Sequence, residues 1–261
     1  MLFSFLKDFL INRILNRKFY LLNWLILLTN FKKHGRVKIN GWKLTFNDSK
    51  ALVGMYNEII FQELYRFESQ NEYPIIIDCG SNIGISVMYF YKRNPKAKIT
   101  AIEADPHIAD LLRKNLAENN IIAEIHQKAL WKSSGELIAF GASGADEGSL
   151  FSKSHQIYVE SIRLKDIICQ YEYIDMLKID IEGAEVEVLK DSKDLLSRVQ
   201  NIFIEYHSFA NRNQELNIIL EILTQQEFKY TLIPARKIKQ PFIFKGGQQV
   251  MDLQINIFGY K

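Results

Sequence analysis

The chain has 261 residues, 48% hydrophobic and 24% charged, which suits one α/β globular domain with an extension and excludes a collagen-like or disordered chain. Its net charge is +3 and its basic residues are dispersed apart from Arg17-Lys18, Lys32-Lys33 and Arg236-Lys237-Ile238-Lys239, so no nucleic-acid partner is expected. The two cysteines, Cys79 and Cys169, exclude a disulfide scaffold and point to a reduced, cytoplasmic setting, and because Cys and His never cluster at ligand spacing, no metal is expected.

Residues 1–31 are rich in Leu, Ile, Phe and Trp, with Lys7, Arg13, Arg17 and Lys18 as cations. The longest uncharged run, Phe19 to Phe31, has 13 residues. That falls short of the roughly 20 needed to span a bilayer. Amphipathic helices packed on the domain or on a twin subunit are expected, with a peripheral membrane contact as the alternative. From Gly35 to Phe46, alternating apolar residues around Asn40-Gly41 predict a small hairpin. Leu52 to Phe67 reads as a helix lying over the strand openings of the core. Residues 1–70 are thus expected to be a helical extension with a small β cap, and 71–261 the ligand-binding domain.

The core opens at Ile75-Ile76-Ile77-Asp78-Cys79-Gly80-Ser81-Asn82-Ile83-Gly84. A β-branched run ends in an acid and passes at once into a Gly-x-x-x-Gly turn, and the amphipathic stretch Ile85–Tyr91 follows. This predicts a buried strand, a tight loop and a helix, and in open α/β sheets ligands bind at that crevice. A dinucleotide fingerprint needs a middle glycine and a phosphate loop needs Gly-Lys-Ser/Thr; both are absent. An acid at the strand end repels phosphate and suits a ligand carrying an ammonium group, such as S-adenosyl-L-methionine. Ile99 to Glu103 is a second short strand ending in a carboxylate, about 20 residues beyond the loop, where nucleotide folds place a ribose-binding acid. The plainer alternative is a surface acid ending a strand. Asp105 and Pro106 then fit an N-cap and a first helical position, and Ile108, Leu111, Leu112 and Leu116 share one helix face.

A third strand is expected near Ile121 to Ile125, which would leave Gln127 beside an adenine edge. Glu136–Phe140 and Ile157–Leu164 read as extended segments flanking the loop Gly141 to Ser149. That loop is either a hairpin connection or an acceptor-binding lid with Ser149 toward substrate. Met176 to Glu185 is the second strong motif. Lys178, Asp180 and, if the strand continues, Glu182 share one face, and burial of such charges is costly unless they are paired or at the wet end of the strand. Asn201 to His207 ends in the same style, with Glu205 and His207 on one face; a hydrogen-bonded structural histidine is the plain alternative to a catalytic one. Phe228–Ile233 and Asp252–Phe258 predict a closing pair of strands joined by a long basic loop.

Asp78–Gly84, Glu103 with Pro106 nearby, Lys178-Ile179-Asp180-Ile181-Glu182-Gly183-Ala184-Glu185 and Glu205-Tyr206-His207 together resemble the FkbM-type methyltransferases over about residues 74–210. The resemblance implies a Rossmann-like seven-stranded, mostly parallel sheet whose last strand is antiparallel (the class I methyltransferase fold). It also implies O-methylation of a hydroxyl on a sugar, glycan precursor or natural product. S-adenosyl-L-methionine would then lie against Asp78, Gly80, Asn82, Gly84, Glu103, Ala104 and Gln127. Asp180, His207, Lys178 and Glu205 would serve the reaction, with Asp180 or His207 as general base, and Glu182 and Ser149 would meet the acceptor. An NAD(P)-dependent oxidoreductase on a related fold and a non-catalytic binding module are the rival readings, and homodimerisation is compatible with each.

Overall fold

The computed structural model describes residues 34–141, 156–210, 212–235, 242–243 and 251–261. The expected helices of residues 1–31, Ser149 and the basic run 236–239 lie outside them. Among the described residues no helix is long and apolar enough to cross a membrane.

The chain begins with the hairpin β1 (Gly35–Ile39) and β2 (Trp42–Phe46), paired antiparallel from Gly35↔Phe46 to Ile39↔Trp42. Its turn uses Asn40 and Gly41 at φ +50° and +85°, the left-handed pair a two-residue hairpin loop demands. Helix α1 (Ser49–Met55) follows, with Asp48 as N-cap accepting from the amides of Lys50 and Ala51. The helix expected through Phe67 does not run that far. It widens into a π-helical turn over Tyr56–Phe61, with Gln62 N donating to Asn57 O, and then breaks.

The core sheet has seven strands: β3 (Ile75–Cys79), β4 (Lys98–Ile102), β5 (Glu124–His126), β9 (Ile174–Ile179), β10 (Val199–Phe209), β11 (Lys229–Pro234) and β12 (Met251–Tyr260). Their order is β11-β12-β10-β9-β3-β4-β5. Strands β5, β4, β3, β9 and β10 are mutually parallel, while β12 runs antiparallel to both β10 and β11. The five parallel strands therefore deliver their carboxyl ends to one edge, and the site stands there.

Helices cover both faces, as a parallel sheet requires. On one side lie α2 (Ile85–Arg93), α3 (Pro106–Glu118), α1 and the hairpin; Val37, Leu44, Leu52, Tyr56, Phe90 and Leu112 share one buried cluster with Ile76. On the other lie α4 (Leu164–Ile168), α5 (Glu185–Ser192) and α6 (Leu216–Gln225), packed around Ile77, Leu177 and Ile204. Ile76 and Ile77 thus enter opposite cores, which is the period of two expected of a strand buried on both faces. A separate small sheet is ordered β6-β8-β7 (Ala129–Leu130, Gln156–Ile162, Leu137–Gly141). The third core strand is Glu124–His126, shifted toward the carboxyl end from the expected Ile121–Ile125. Ile121, instead of entering it, closes the turn after α3 by donating its amide to Leu116 O.

Candidate active site

The loop after β3 is built around close backbone approaches. Gly80 N and Ser81 N both donate to Ile102 O, at 2.9 and 3.0 Å. Gly80 has φ +78°, and a Cβ there would stand 1.7 Å from Asp180 O. Glycine is therefore obligatory where the β3 and β9 strand ends touch. Gly84, at φ +94°, opens α2 and packs against Leu112, so it supports the loop from outside the cavity. Asn82, at φ +47°, turns its side chain back to accept from Ile83 N.

Above these strand ends lies a cavity of about 340 Å³. Its floor is Gly80, Ser81, Asn82 and Lys178; its flank is Glu103, Ala104 and Ile108; and Asp180, Glu182 and Glu205 form an acidic end. Its roof is Ala51, Gly54, Met55 and Glu58 from α1 and the π-helical turn. The sequence placed a helix over the openings but did not single out these roof residues, since nothing in an amphipathic helix says which positions line a cavity.

Glu103 is fully committed to this space. Its Oε2 accepts from Asn82 N and its Oε1 from Asp105 N, both at 2.9 Å, which fixes the carboxylate while leaving each oxygen a further lone pair. Burial raises its pKa to about 7, against the lowering effect of those two amides.

Asp78 does not face the cavity. It is completely buried, accepts from Ser86 Oγ at 2.5 Å and pairs with Lys178 Nζ at 3.2 Å. The register places Asp78 opposite Lys178 on adjacent parallel strands, so strand pairing alone brings them together. Lys178 is 2% exposed, reaches Asp180 at 3.4 Å and donates to Gly80 O at 2.8 Å. Burial works to lower the Lys178 pKa, but the charges of Asp78 and Asp180 outweigh it and hold the ammonium well above its ordinary value. The lysine is thus an internal strut that ties the glycine loop to β9.

Strand β9 ends at Ile179, so Glu182 does not continue its face. Glu182 reaches the cavity from a tight turn, with φ +54° there and +104° at Gly183. Glu205 also lines the cavity. Burial raises its pKa to about 7, the Asp180 carboxylate adds to this, and His207 and the Gln254 amide that donates to it oppose it.

His207 lies behind this wall and does not line the cavity. Its side chain is 1% exposed, with Nδ1 3.0 Å from Glu185 Oε1 and Nε2 3.5 Å from Glu182 and 3.8 Å from Glu205. Burial works to lower its pKa, but Glu185, Glu182 and Asp180 prevail and raise it well above the usual imidazole range. The candidate general base is therefore held in its charged form by these acids, as the hydrogen-bonded structural histidine of the plain alternative is. Glu185, buried beneath it, was read from the sequence only as part of a motif; it also accepts from Gly183 N at 2.9 Å. Gln127 stands outside the cavity, where its Oε1 accepts from Arg113 at 3.0 Å, because β5 ends one residue before it and turns it toward α3.

The sheet order and a site at the carboxyl ends of its parallel strands define a methyltransferase fold. Residues 78–230 match the Methyltransferase FkbM domain, and the chain belongs to that family. It is 29% identical over 207 residues to Methyltransferase sdnD of Sordaria araneosa, covering 64% of this chain and 79% of that one. It is 27% identical over 177 residues to 2-O-methyltransferase NoeI of Sinorhizobium fredii, covering 59% and 72%. Among solved structures, a methyltransferase FkbM from Methylobacillus flagellatus superposes with a TM-score of 0.51 at 16% identity, over 78% of this chain and 48% of that one. This chain thus spans about half the length of that protein, and the likeness is one of fold.

Proposed function

We propose that this methyltransferase uses S-adenosyl-L-methionine to methylate a hydroxyl group on a sugar, glycan precursor or natural product. The observation that carries the reading is Glu103, a buried carboxylate at the cavity, clamped by two backbone amides and able to accept further hydrogen bonds on each oxygen. Vicinal ribose hydroxyls are such donors. The rest of the cavity fits the same ligand: it offers no pyrophosphate loop, and its far end is acidic, which suits a cationic sulfonium and ammonium. The name of NoeI, a 2-O-methyltransferase, supports oxygen as the acceptor atom.

Held against Glu103 and the glycine loop, S-adenosyl-L-methionine would supply an electrophilic methyl group to the acceptor oxygen, with the electron pair of the broken carbon–sulfur bond staying on sulfur. The chain's part is positioning and proton removal. Gly80 lets the loop lie against the end of β9, Glu103 fixes the ribose, and the Lys178 strut holds loop and acids in register. The acceptor's proton passes to the Asp180–Glu205 carboxylate pair; Glu205, with its pKa near 7, is matched to taking a proton at neutral pH. His207, held as an imidazolium, steadies the acids from behind.

Calorimetry with S-adenosylhomocysteine and with NADH tests this. We expect binding of the first and not the second, and loss of the first in Glu103→Ala. Equal affinity for NADH would sink the assignment, as would unchanged S-adenosylhomocysteine affinity in the variant.

A further inference from the structure

The hairpin β1–β2 has two unlike faces. Val37, Leu44 and Phe46 point inward and belong to the buried core cluster. Arg36, Lys38 and Lys43 alternate with them and are exposed. The register sets Lys38 directly opposite Lys43, so two ammonium groups share one face across the strand pair. Like charges so placed repel and destabilise a hairpin. Among the described residues neither lysine pairs with an acid; the ion pair on this face joins Arg36 to Glu118 at 3.4 Å, and that arginine side chain is 66% exposed. The hairpin thus keeps a local excess of positive charge.

The sequence extends this field. From Lys32 to Lys43 there are five Lys/Arg residues and no Asp or Glu. The chain ahead of them, residues 1–31, is rich in Leu, Ile and Phe and carries Lys7, Arg13, Arg17 and Lys18 against one acid, Asp8. A basic cluster beside such an apolar, cationic stretch is the pattern of binding to anionic lipid headgroups. A soluble polyanion such as RNA would use the bases and leave the apolar stretch without a role. The hairpin itself offers that stretch no apolar face, because its inner face is sealed against the core and its outer face is charged. An apolar tip also stands near the bases: Ile122 is 85% exposed and lies three residues past Asn119, whose side chain holds both backbone groups of Lys43.

We propose that the outer face of the hairpin docks on an anionic lipid bilayer through Arg36, Lys38 and Lys43. Headgroup phosphates then sit against Lys38 and Lys43 and relieve their repulsion, and each base near such a surface strengthens binding about fivefold. The attraction is one of charge, so it weakens as salt screens it. Docking carries the cavity roof with it, since α1 begins at Ser49, shortly after β2 ends at Phe46. That arrangement suits an acceptor anchored in the same bilayer, a use that rests on the methyl-transfer reading; the docking itself does not.

Sedimentation of the purified full-length chain with vesicles tests the proposal, comparing phosphatidylcholine alone with phosphatidylcholine containing one-third phosphatidylglycerol. We expect binding about tenfold or more tighter to the anionic vesicles, and weaker as salt is raised. Arg36→Gln, Lys38→Gln and Lys43→Gln together should bind them about 100-fold more weakly, with the melting temperature unchanged because all three side chains are exposed. Lys96→Gln, Lys193→Gln and Lys229→Gln together, which remove as many exposed bases elsewhere, should bind as the wild type does. Equal binding to both kinds of vesicle, or full anionic binding by the hairpin variant, overturns the proposal. So does an equal loss in the second variant, which would reduce the effect to net charge, and so does capture of a single-stranded RNA with the anionic vesicles left unbound. S-adenosylhomocysteine affinity, measured on the same preparation, reports the methyl-transfer reading separately: its loss leaves the docking intact, and absence of docking leaves that affinity untouched.

Discussion

At the scale of single residues, the acids divide by what they face. Asp78 is sealed under the loop, and its partner Lys178, also buried, reaches the cavity floor, so the pair is worth most when considered through its breakage. Removing Asp78 leaves the buried ammonium with only the more distant Asp180 at 3.4 Å, and breaking a buried pair typically costs about 3–5 kcal/mol. Asp78→Ala is therefore expected to lose about that much stability in urea denaturation. A loss below about 1 kcal/mol would show that Asp180 alone suffices for Lys178. Glu103 behaves differently, because it is an acid raised by burial from 4.5 to about 7. The folded state prefers its neutral form; that preference stabilises the fold fully below the ordinary value and is lost as pH rises through 7. Ligand binding runs the other way, since the ionised carboxylate is the stronger acceptor for ribose hydroxyls. S-adenosylhomocysteine affinity is thus expected to rise between pH 6 and 8 and then level off, and Glu103→Gln should bind more weakly with a flatter profile. An unchanged slope in Glu103→Gln would assign the titration to another group.

At the scale of elements, much of the sheet was legible because several parallel strands carry a short β-branched run followed by a charge: Ile75–Asp78 and Ile99–Glu103 stand where the pattern put them, whereas β10 runs on past the expected end at His207 to Phe209. Capping was legible for the same local reason, and Asp105 does accept from the amides of His107 and Ile108. Side-chain destinations were not. Period two says that Lys178 and Asp180 share a face, but only the pairing of β3 with β9 shows that Asp78 takes the lysine and so withdraws from the ligand. His207 looked like a base from its own strand, and it is Glu185, on a different element, that holds it protonated. The helix expected through Phe67 stops early because Tyr56 and Phe61 stack edge to face at 5.3 Å inside the core, with the chain widened into a π turn between them. That turn brings Glu58 over Asp180, close enough for the two charges to repel. Gly54, one turn earlier, also lines the roof, and a Cβ there would meet nothing within 4 Å. Gly54→Leu should therefore gain about 0.5–1 kcal/mol of helix stability while filling the roof. The expected result is a melting temperature equal to or above wild type with the acceptor KM raised several-fold; an unchanged KM would place the acceptor away from α1.

At the scale of the whole molecule, the hairpin and the core act as one body because two asparagines, Asn115 on α3 and Asn119 at its C-cap, complete the edge of β2. Asn119 Oδ1 accepts from Lys43 N at 2.9 Å and its Nδ2 donates to Lys43 O at 2.7 Å. Asn115, fully buried, does the same for Thr45 N and O at 2.7 and 3.0 Å. The two residues stand four apart, one helical turn, and therefore meet alternate backbone groups of a strand running alongside. A helix face thus substitutes for a third strand, and the free edge of the hairpin is covered. Asn115 Nδ2 also donates to Ile83 O at 2.8 Å, inside the glycine loop. One side chain therefore joins the hairpin, α3 and the loop that floors the cavity. Asn115→Ala strips partners from Thr45 N, Thr45 O and Ile83 O at once, and each buried group left unsatisfied costs about 1–3 kcal/mol. The expected outcome is a lower melting temperature, loss of hydrogen-exchange protection at Thr45 and neighbouring hairpin amides, and weaker S-adenosylhomocysteine binding through the loosened loop. Asn119→Ala, which touches only Lys43 and its own helix, should expose the hairpin without weakening ligand binding. If both variants weaken binding equally, the hairpin as a whole, and not the Ile83 contact, is what couples the cap to the site.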